Sequence, residues 1–195
     1  MGVDKLDTGA VVALRGGERR DKVGRATFMA APDDARISGH SIPNEDTVAQ
    51  IVAALAPRPD MAVLVLGSGS GYLPAVIAHS VARVVAVEIV PFLAELARDR
   101  YRKLGCDNIQ VITGDGNRGA VAAAPFDAVV ICSPSIWRKA ALFEQLQDGG
   151  RMLAIETRAD GRDLLVEYRK DAAGKLERQE LSALAVAPSN ETVLI

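Results

Sequence analysis

The sequence predicts an α/β domain whose doubly wound, mostly parallel seven-stranded sheet ends in an antiparallel hairpin. Three observations carry that prediction. Short apolar, β-branched runs alternate with helically spaced segments from residue 44 onward. Those runs are apolar on both faces, as strands covered on both sides by helices must be. Two runs of alternating polarity, residues 164–169 and 176–186, then close the chain around the turn Asp171-Ala-Ala-Gly174.

Each element follows from its residues. Asn44, Glu45 and Asp46 suit a helix start, and Val48, Ile51, Val52 and Leu55 form one apolar face before Pro57 and Pro59 stop it. Ala62–Leu66 is the first buried strand. A helix over 72–81 tolerates Pro74 in its first turn. Residues 83–87 form the second strand, and Pro91 opens a helix that Gly105 ends. The third and fourth strands are Ile109–Thr113 and residues 126–132. A helix over 137–146 leads to Gly149-Gly150 and a fifth strand over 151–155. Right-handed crossovers between such strands give a parallel sheet. Residues 1–43 lack either period and carry the basic cluster Arg15, Arg19, Arg20, Lys22 and Arg25. They read as an N-terminal arm or lid, and 44–195 as the domain proper.

Composition narrows the function. With 195 residues, 49% of them hydrophobic, the chain is long enough to bury its own core. The 23 basic and 25 acidic residues leave a net charge of −2, which argues against a nucleic-acid or anionic-membrane partner. Two cysteines, Cys106 and Cys132, make no disulfide scaffold, and no metal-ligand spacing surrounds them. No apolar run has the length of a membrane span. The expectation is a metal-free cytoplasmic protein.

Chemistry in a doubly wound sheet sits beyond the carboxyl ends of its strands. Gly67-Ser68-Gly69-Ser70-Gly71 follows the first strand, with Tyr72 opening the next helix, and glycines there let a ligand approach backbone. Glu88, followed by Ile89, ends the second strand 21 residues after Gly67, placed to accept both hydroxyls of a ribose. Asp115, in Gly114-Asp115-Gly116, follows the third strand and suits an adenine amino group. A helix cap or turn is the competing reading for Glu88 and Asp115. Cys132 and Ser133 follow the fourth strand. A dinucleotide fingerprint needs a third glycine where Tyr72 stands. The G-x-G-x-G spacing instead leaves room for a sulfonium and an amino-acid tail, so the expected cofactor is S-adenosylmethionine, with S-adenosylhomocysteine as product.

These motifs resemble the protein-L-isoaspartate O-methyltransferases. The resemblance rests on Leu64-Val-Leu-Gly-Ser-Gly-Ser-Gly-Tyr72, Val87-Glu88, Gly114-Asp-Gly116, Pro125-Phe-Asp-Ala128 and Gly149-Gly150. Gly39-His-Ser-Ile-Pro-Asn-Glu-Asp-Thr-Val-Ala49 falls in register with the segment before the first strand, and Glu180, Leu181 and Pro188 with the closing segment. It implies a Rossmann-like methyltransferase fold and methyl transfer to the carboxylate of L-isoaspartyl residues in damaged proteins. The acceptor side departs from the family. Pro43 stands at the family's serine, Asn44-Glu45 at its Gln-Pro and Val65 at its glutamate. Cys132 stands at its threonine and Ala185-Val186 at its Arg-Phe. These departures motivate two alternatives, a small-molecule or different protein acceptor and a non-catalytic S-adenosylmethionine-binding module.

The implied reaction needs no general base, because a carboxylate is already ionised at neutral pH. His40, Ser41, Asn44 and Ser133 are the acceptor-side candidates, with Ser135 and Trp137 nearby in sequence. His79, inside a helix, is a packing or surface residue.

Overall fold

A computed structural model describes residues 45–184 apart from 134, 137 and 171–175. The chain order is α1 (Glu45–Leu55), β1 (Ala62–Leu66), α2 (Tyr72–Ala78), β2 (Arg83–Glu88), α3 (Pro91–Leu104) and β3 (Ile109–Thr113). Next come β4 (Phe126–Ile131), α4 (Lys139–Phe143), β5 (Leu146–Thr157), β6 (Asp163–Lys170) and β7 (Leu176–Ala183). All seven strands join one sheet in the order β3-β2-β1-β4-β5-β6-β7. The pairs β1–β2, β2–β3, β1–β4 and β4–β5 are parallel, while β5–β6 and β6–β7 are antiparallel. The sheet class and the antiparallel closing strands are those the alternation of patterns predicts, while the turn read at 171–174 lies outside the described residues.

Period-two alternation sorts the strand side chains into two cores. In β1, Val63 and Val65 join Ile51, Leu55, Leu73 and Ile77 on one face, packed beneath α1 and α2. Leu64 and Leu66 join Val85, Phe126, Ile131, Phe143 and Met152 on the other. Both sets are buried, which is why β1 reads as continuously apolar. Burying a Val or Leu side chain contributes about 1.5–3 kcal/mol each, so this sheet holds its loops on a firm base.

Helix ends follow local chemistry. Gly105 terminates α3 at φ 66°, in the left-handed region that favours glycine. The helix expected over 72–81 stops at Ala78, because Asn108 Nδ2 donates to the carbonyls of Ala78 (2.8 Å) and Val81 (3.2 Å). His79 is a helix-end residue there, its Nδ1 donating to the Ala75 carbonyl at 2.7 Å.

The region around α4 corrects the sequence expectation. The helix is confined to Lys139–Phe143, and β5 begins at Leu146, which pairs with Phe126. Gly149 and Gly150 therefore lie within the strand rather than before it. Gly149 has φ 73°, and a Cβ on Gly150 would sit 2.9 Å from the Gln147 carbonyl, so both glycines serve a local irregularity in the β4–β5 pairing. Two short 3-10 turns, Gly116–Arg118 and Val121–Ala123, fill the connection between β3 and β4. Their single-turn length leaves too little periodicity to read from sequence.

Candidate functional site

Strand order reverses between β1 and β4, so the loops leaving their carboxyl ends flank a crevice. The β1 loop is pinned from below: the N–H groups of Gly67 (3.0 Å) and Ser68 (3.2 Å) both donate to the Val87 carbonyl. The β4 loop is pinned by Cys132 N–H donating to the Leu66 carbonyl at 2.9 Å. A Cβ on Gly67 would lie 2.8 Å from Ser133 Cβ, so this glycine is what lets the two loops touch.

The remaining loop glycines have different tasks. Gly71 has φ 99°, and a Cβ there would fall 2.4 Å from the Tyr101 hydroxyl, which donates to the Gly71 carbonyl at 3.0 Å. Gly69 has φ 56°, and no described atom lies within 4 Å of where its Cβ would stand. It opens onto space. Arg100, itself buried, donates from Nη1 to the Ser70 carbonyl at 3.3 Å. Ser70 and Tyr72 are buried at the loop's end, whereas Ile89 is 59% exposed at the rim.

Glu88 is 1% exposed beneath the loop. Its Oε2 accepts the Gly69 N–H at 2.7 Å and its Oε1 the Val90 N–H at 2.9 Å. A carboxylate has about four lone-pair sites, so each oxygen keeps acceptor capacity beyond these bonds. Burial and the neighbouring Glu88 carboxylate push the Cys132 thiol up to about 12, so it stays protonated at neutral pH.

Asp115 is exposed beyond β3, and Gly114 N–H donates to the Glu88 carbonyl at 2.9 Å, tying the two strand ends together. Asp115 Oδ1 caps the turn Gly116–Arg118 by accepting from Asn117 N–H (2.9 Å) and Nδ2 (3.1 Å). Those two bonds hold its carboxyl below the usual carboxylate range. The capping role weighed against a ligand role for Asp115 is thus present. Gly116 is buried, and a Cβ on it would meet Ile136 Cδ1 at 2.7 Å and Leu66 Cβ at 3.6 Å. Ser133 Oγ and Ser135 Oγ are 2.7 Å apart.

The structure therefore brings Gly67 through Tyr72, Glu88, Ile89, Asp115, Gly116, Cys132 and Ser133 to one edge of the sheet. His40, Ser41, Pro43, Asn44, Trp137, Ala185 and Val186, and the arm over 1–43, lie outside the described residues. Sequence reasoning passed over Arg100, Tyr101, Asn117 and Gln145. Each acts through carbonyls distant in sequence, which no local motif announces.

Two independent observations fit a bound ligand at these residues. The backbone at Gly69 faces open space. Ser68 Oγ is buried with no hydrogen-bond partner among the described residues, and native folds rarely leave such an atom unsatisfied. Among the described residues no group of His, Cys, Asp and Glu is placed to hold a metal ion.

This sheet has the Rossmann-like architecture of solved S-adenosylmethionine-dependent methyltransferases. A methyltransferase from Thiobacillus denitrificans, solved in complex with S-adenosyl-L-homocysteine, superposes with a TM-score of 0.54 at 25% identity, over 68% of this chain and 54% of that one. A solved protein-L-isoaspartate O-methyltransferase shares the fold more extensively. Its TM-score is 0.66 at 21% identity, over 93% of this chain and 62% of that one. The family model "Protein-L-isoaspartate(D-aspartate) O-methyltransferase" matches residues 19–192. The protein-L-isoaspartate O-methyltransferase of Bordetella avium is 35% identical over 193 residues, covering 96% of this chain and 72% of the relative. The chain belongs to the protein-L-isoaspartate O-methyltransferase family. It spans 58% and 61% of the length of two other curated relatives that it matches.

Proposed function

We propose that the chain transfers the methyl group of S-adenosylmethionine to the carboxylate of L-isoaspartyl residues in damaged proteins. The observation that carries this reading is the buried Glu88 carboxylate gripping the Gly69 N–H beside an open Gly69. That pairing couples a ribose-type acceptor to a loop shaped for close backbone approach. Family membership supports the acceptor class.

When bound, the donor supplies an electrophilic sulfonium methyl, and displacement by a carboxylate oxygen yields a methyl ester and S-adenosylhomocysteine. The residues of this chain would bind and orient. Glu88 would accept ribose hydroxyls with its remaining lone pairs, each charge-assisted bond contributing about 1.5–3 kcal/mol. Gly67, Gly69 and Gly71 would give the amino-acid tail access to backbone, and Ser68 Oγ would gain its missing partner. Asp115 would accept from the adenine amino group, Ile89, Gly116 and Cys132 would help hold the donor, and Ser133 would stand on the acceptor side. The acceptor oxygen is already an anion, so alignment is the main contribution, worth up to roughly 7–11 kcal/mol. A cytoplasmic location belongs to the same reading, consistent with free thiols at Cys106 and Cys132. Among the described residues no helix is long and apolar enough to cross a membrane.

Pro43, standing where the family carries a serine, favours a second reading in which the same donor serves a different carboxylate acceptor. The test is transfer of labelled methyl from S-adenosylmethionine to an isoaspartyl peptide, with the aspartyl peptide as control and Glu88→Ala alongside. Labelling of the isoaspartyl peptide alone, lost together with donor binding in Glu88→Ala, is the expected result. A wild-type protein that binds donor yet labels neither peptide supports the second reading.

A further inference from the structure

Asn117 touches both sides of the crevice. Its backbone N–H and its Nδ2 both donate to Asp115 Oδ1. The same Nδ2 reaches the Ser135 carbonyl at 3.4 Å, and its Oδ1 accepts the Arg138 backbone N–H at 3.2 Å. Behind it, Gln145 repeats the pattern. Its Oε1 accepts the Ala120 N–H (2.8 Å), while its Nε2 donates to the carbonyls of Arg118 (3.0 Å) and Ala141 (3.3 Å). Two side-chain amides thus join the segment after β3, which carries Asp115, to the segment after β4, which carries Ser133.

The two amides differ in setting. Gln145 is 4% exposed and fixed on three sides, a permanent anchor. Asn117 is half-buried on a single 3-10 turn, with no strand ladder holding it. A side-chain amide is rigid, its donor end opposite its acceptor end. When Nδ2 faces Asp115, Oδ1 is committed to Arg138. A ligand that orders the Asp115 carboxylate therefore also orders the amide plane and the Arg138 N–H beyond it.

We propose that Asn117 is a positioning residue that couples the Asp115 loop to Ser135 and Arg138 beyond β4, so that filling the donor site orders that side of the crevice. This rests on the donor reading above. Coupling of this kind is reciprocal, so an acceptor that orders the β4 loop would tighten donor binding by the same factor.

The experiment is residue-resolved amide hydrogen exchange on the whole chain with saturating S-adenosylhomocysteine as probe, comparing wild type, Asn117→Asp and Asn117→Ala. In the wild type, the probe is expected to slow exchange at the Arg138 amide by at least about fivefold, the low end of ordinary coupling. Asn117→Asp keeps an acceptor for Arg138 but loses the amide donors. It should therefore retain the protection of that amide in the free protein yet lose its dependence on the probe. Asn117→Ala should lose both. A purely structural cap would lower protection equally with and without probe. The proposal is overturned if the probe slows Arg138 equally in wild type and Asn117→Asp. It is also overturned if the probe binds the wild type, seen as shifts in the Gly67–Gly71 amides, without affecting Arg138. Absence of any shift in those loop amides would overturn the donor reading and this inference with it, a distinct result.

Discussion

At the scale of single residues, two glycines in one loop separate folding from binding. Gly71 combines φ 99° with a would-be Cβ 2.4 Å from the hydroxyl of the buried Tyr101. Left-handed strain of about 1–2 kcal/mol then adds to overpacking of about 1–3 kcal/mol. Gly69 has left-handed backbone but open space around it, so Gly69→Ala carries only the strain. Calorimetry is expected to show Gly71→Ala losing about 2 kcal/mol more stability than Gly69→Ala, while titration with S-adenosylhomocysteine shows the larger affinity loss per folded molecule in Gly69→Ala. The reverse ranking would mean that the ligand lies elsewhere on the loop. The glycines and Glu88 were legible in sequence because their positions at strand ends restrict residue type. Arg100 and Tyr101 were not: the helix pattern puts Arg100 on the solvated face, where the fold in fact buries it, and it shows the face of Tyr101 but not the carbonyl that its hydroxyl reaches.

Among elements, the tie between α4 and the terminal strands rests on Glu156 of β5. Its carboxylate accepts from Lys139 Nζ of α4 (2.8 Å), from the Tyr168 hydroxyl of β6 and from Arg178 of β7 (3.0 Å). Partial burial opposes ionisation, but the bonds from Lys139, Tyr168 and Arg178 outweigh it and hold the group down at about 2, against an ordinary 4.5. The folded-state value is depressed, so the stabilisation is complete above about pH 4.5 and is lost as pH falls toward 2. Glu156→Gln is expected to flatten the stability curve over that window, as followed by chemical denaturation at stepped pH. An unchanged slope would assign the acid sensitivity to other carboxylates. The strands β6 and β7 were visible as alternating runs and β5 in part, over 151–155, but no pattern could show that four elements share one carboxylate. The short α4 was overestimated for a related reason. Its end is set by Phe126 pairing with Leu146 and by Gln145 turning back onto Arg118, both tertiary events.

For the whole molecule, binding and folding are linked. A ligand present at 100 times its dissociation constant stabilises by about 2.7 kcal/mol. In a chain of this size, that corresponds to roughly 5–11 °C in melting temperature. S-adenosylhomocysteine is expected to produce a rise of that order, and NAD none. Equal shifts from both would return the site to dinucleotide chemistry and undo the distinction drawn at Tyr72.

Sequence by itself determined the sheet class, the edge at which the strand-end loops gather and the order in which Gly67–Gly71, Glu88 and Asp115 reach it. It could do so because burial on both faces and close backbone approach each demand particular residue types at consecutive positions. Tertiary structure alone decided that Glu88 is buried against the Gly69 N–H, that Asp115 caps its own turn, and that Asn117 and Gln145 bridge the β3 and β4 loops. Those contacts join residues that the chain separates by up to 27 positions. Their energy comes from polar groups satisfying one another out of water, a condition that only the assembled fold can meet.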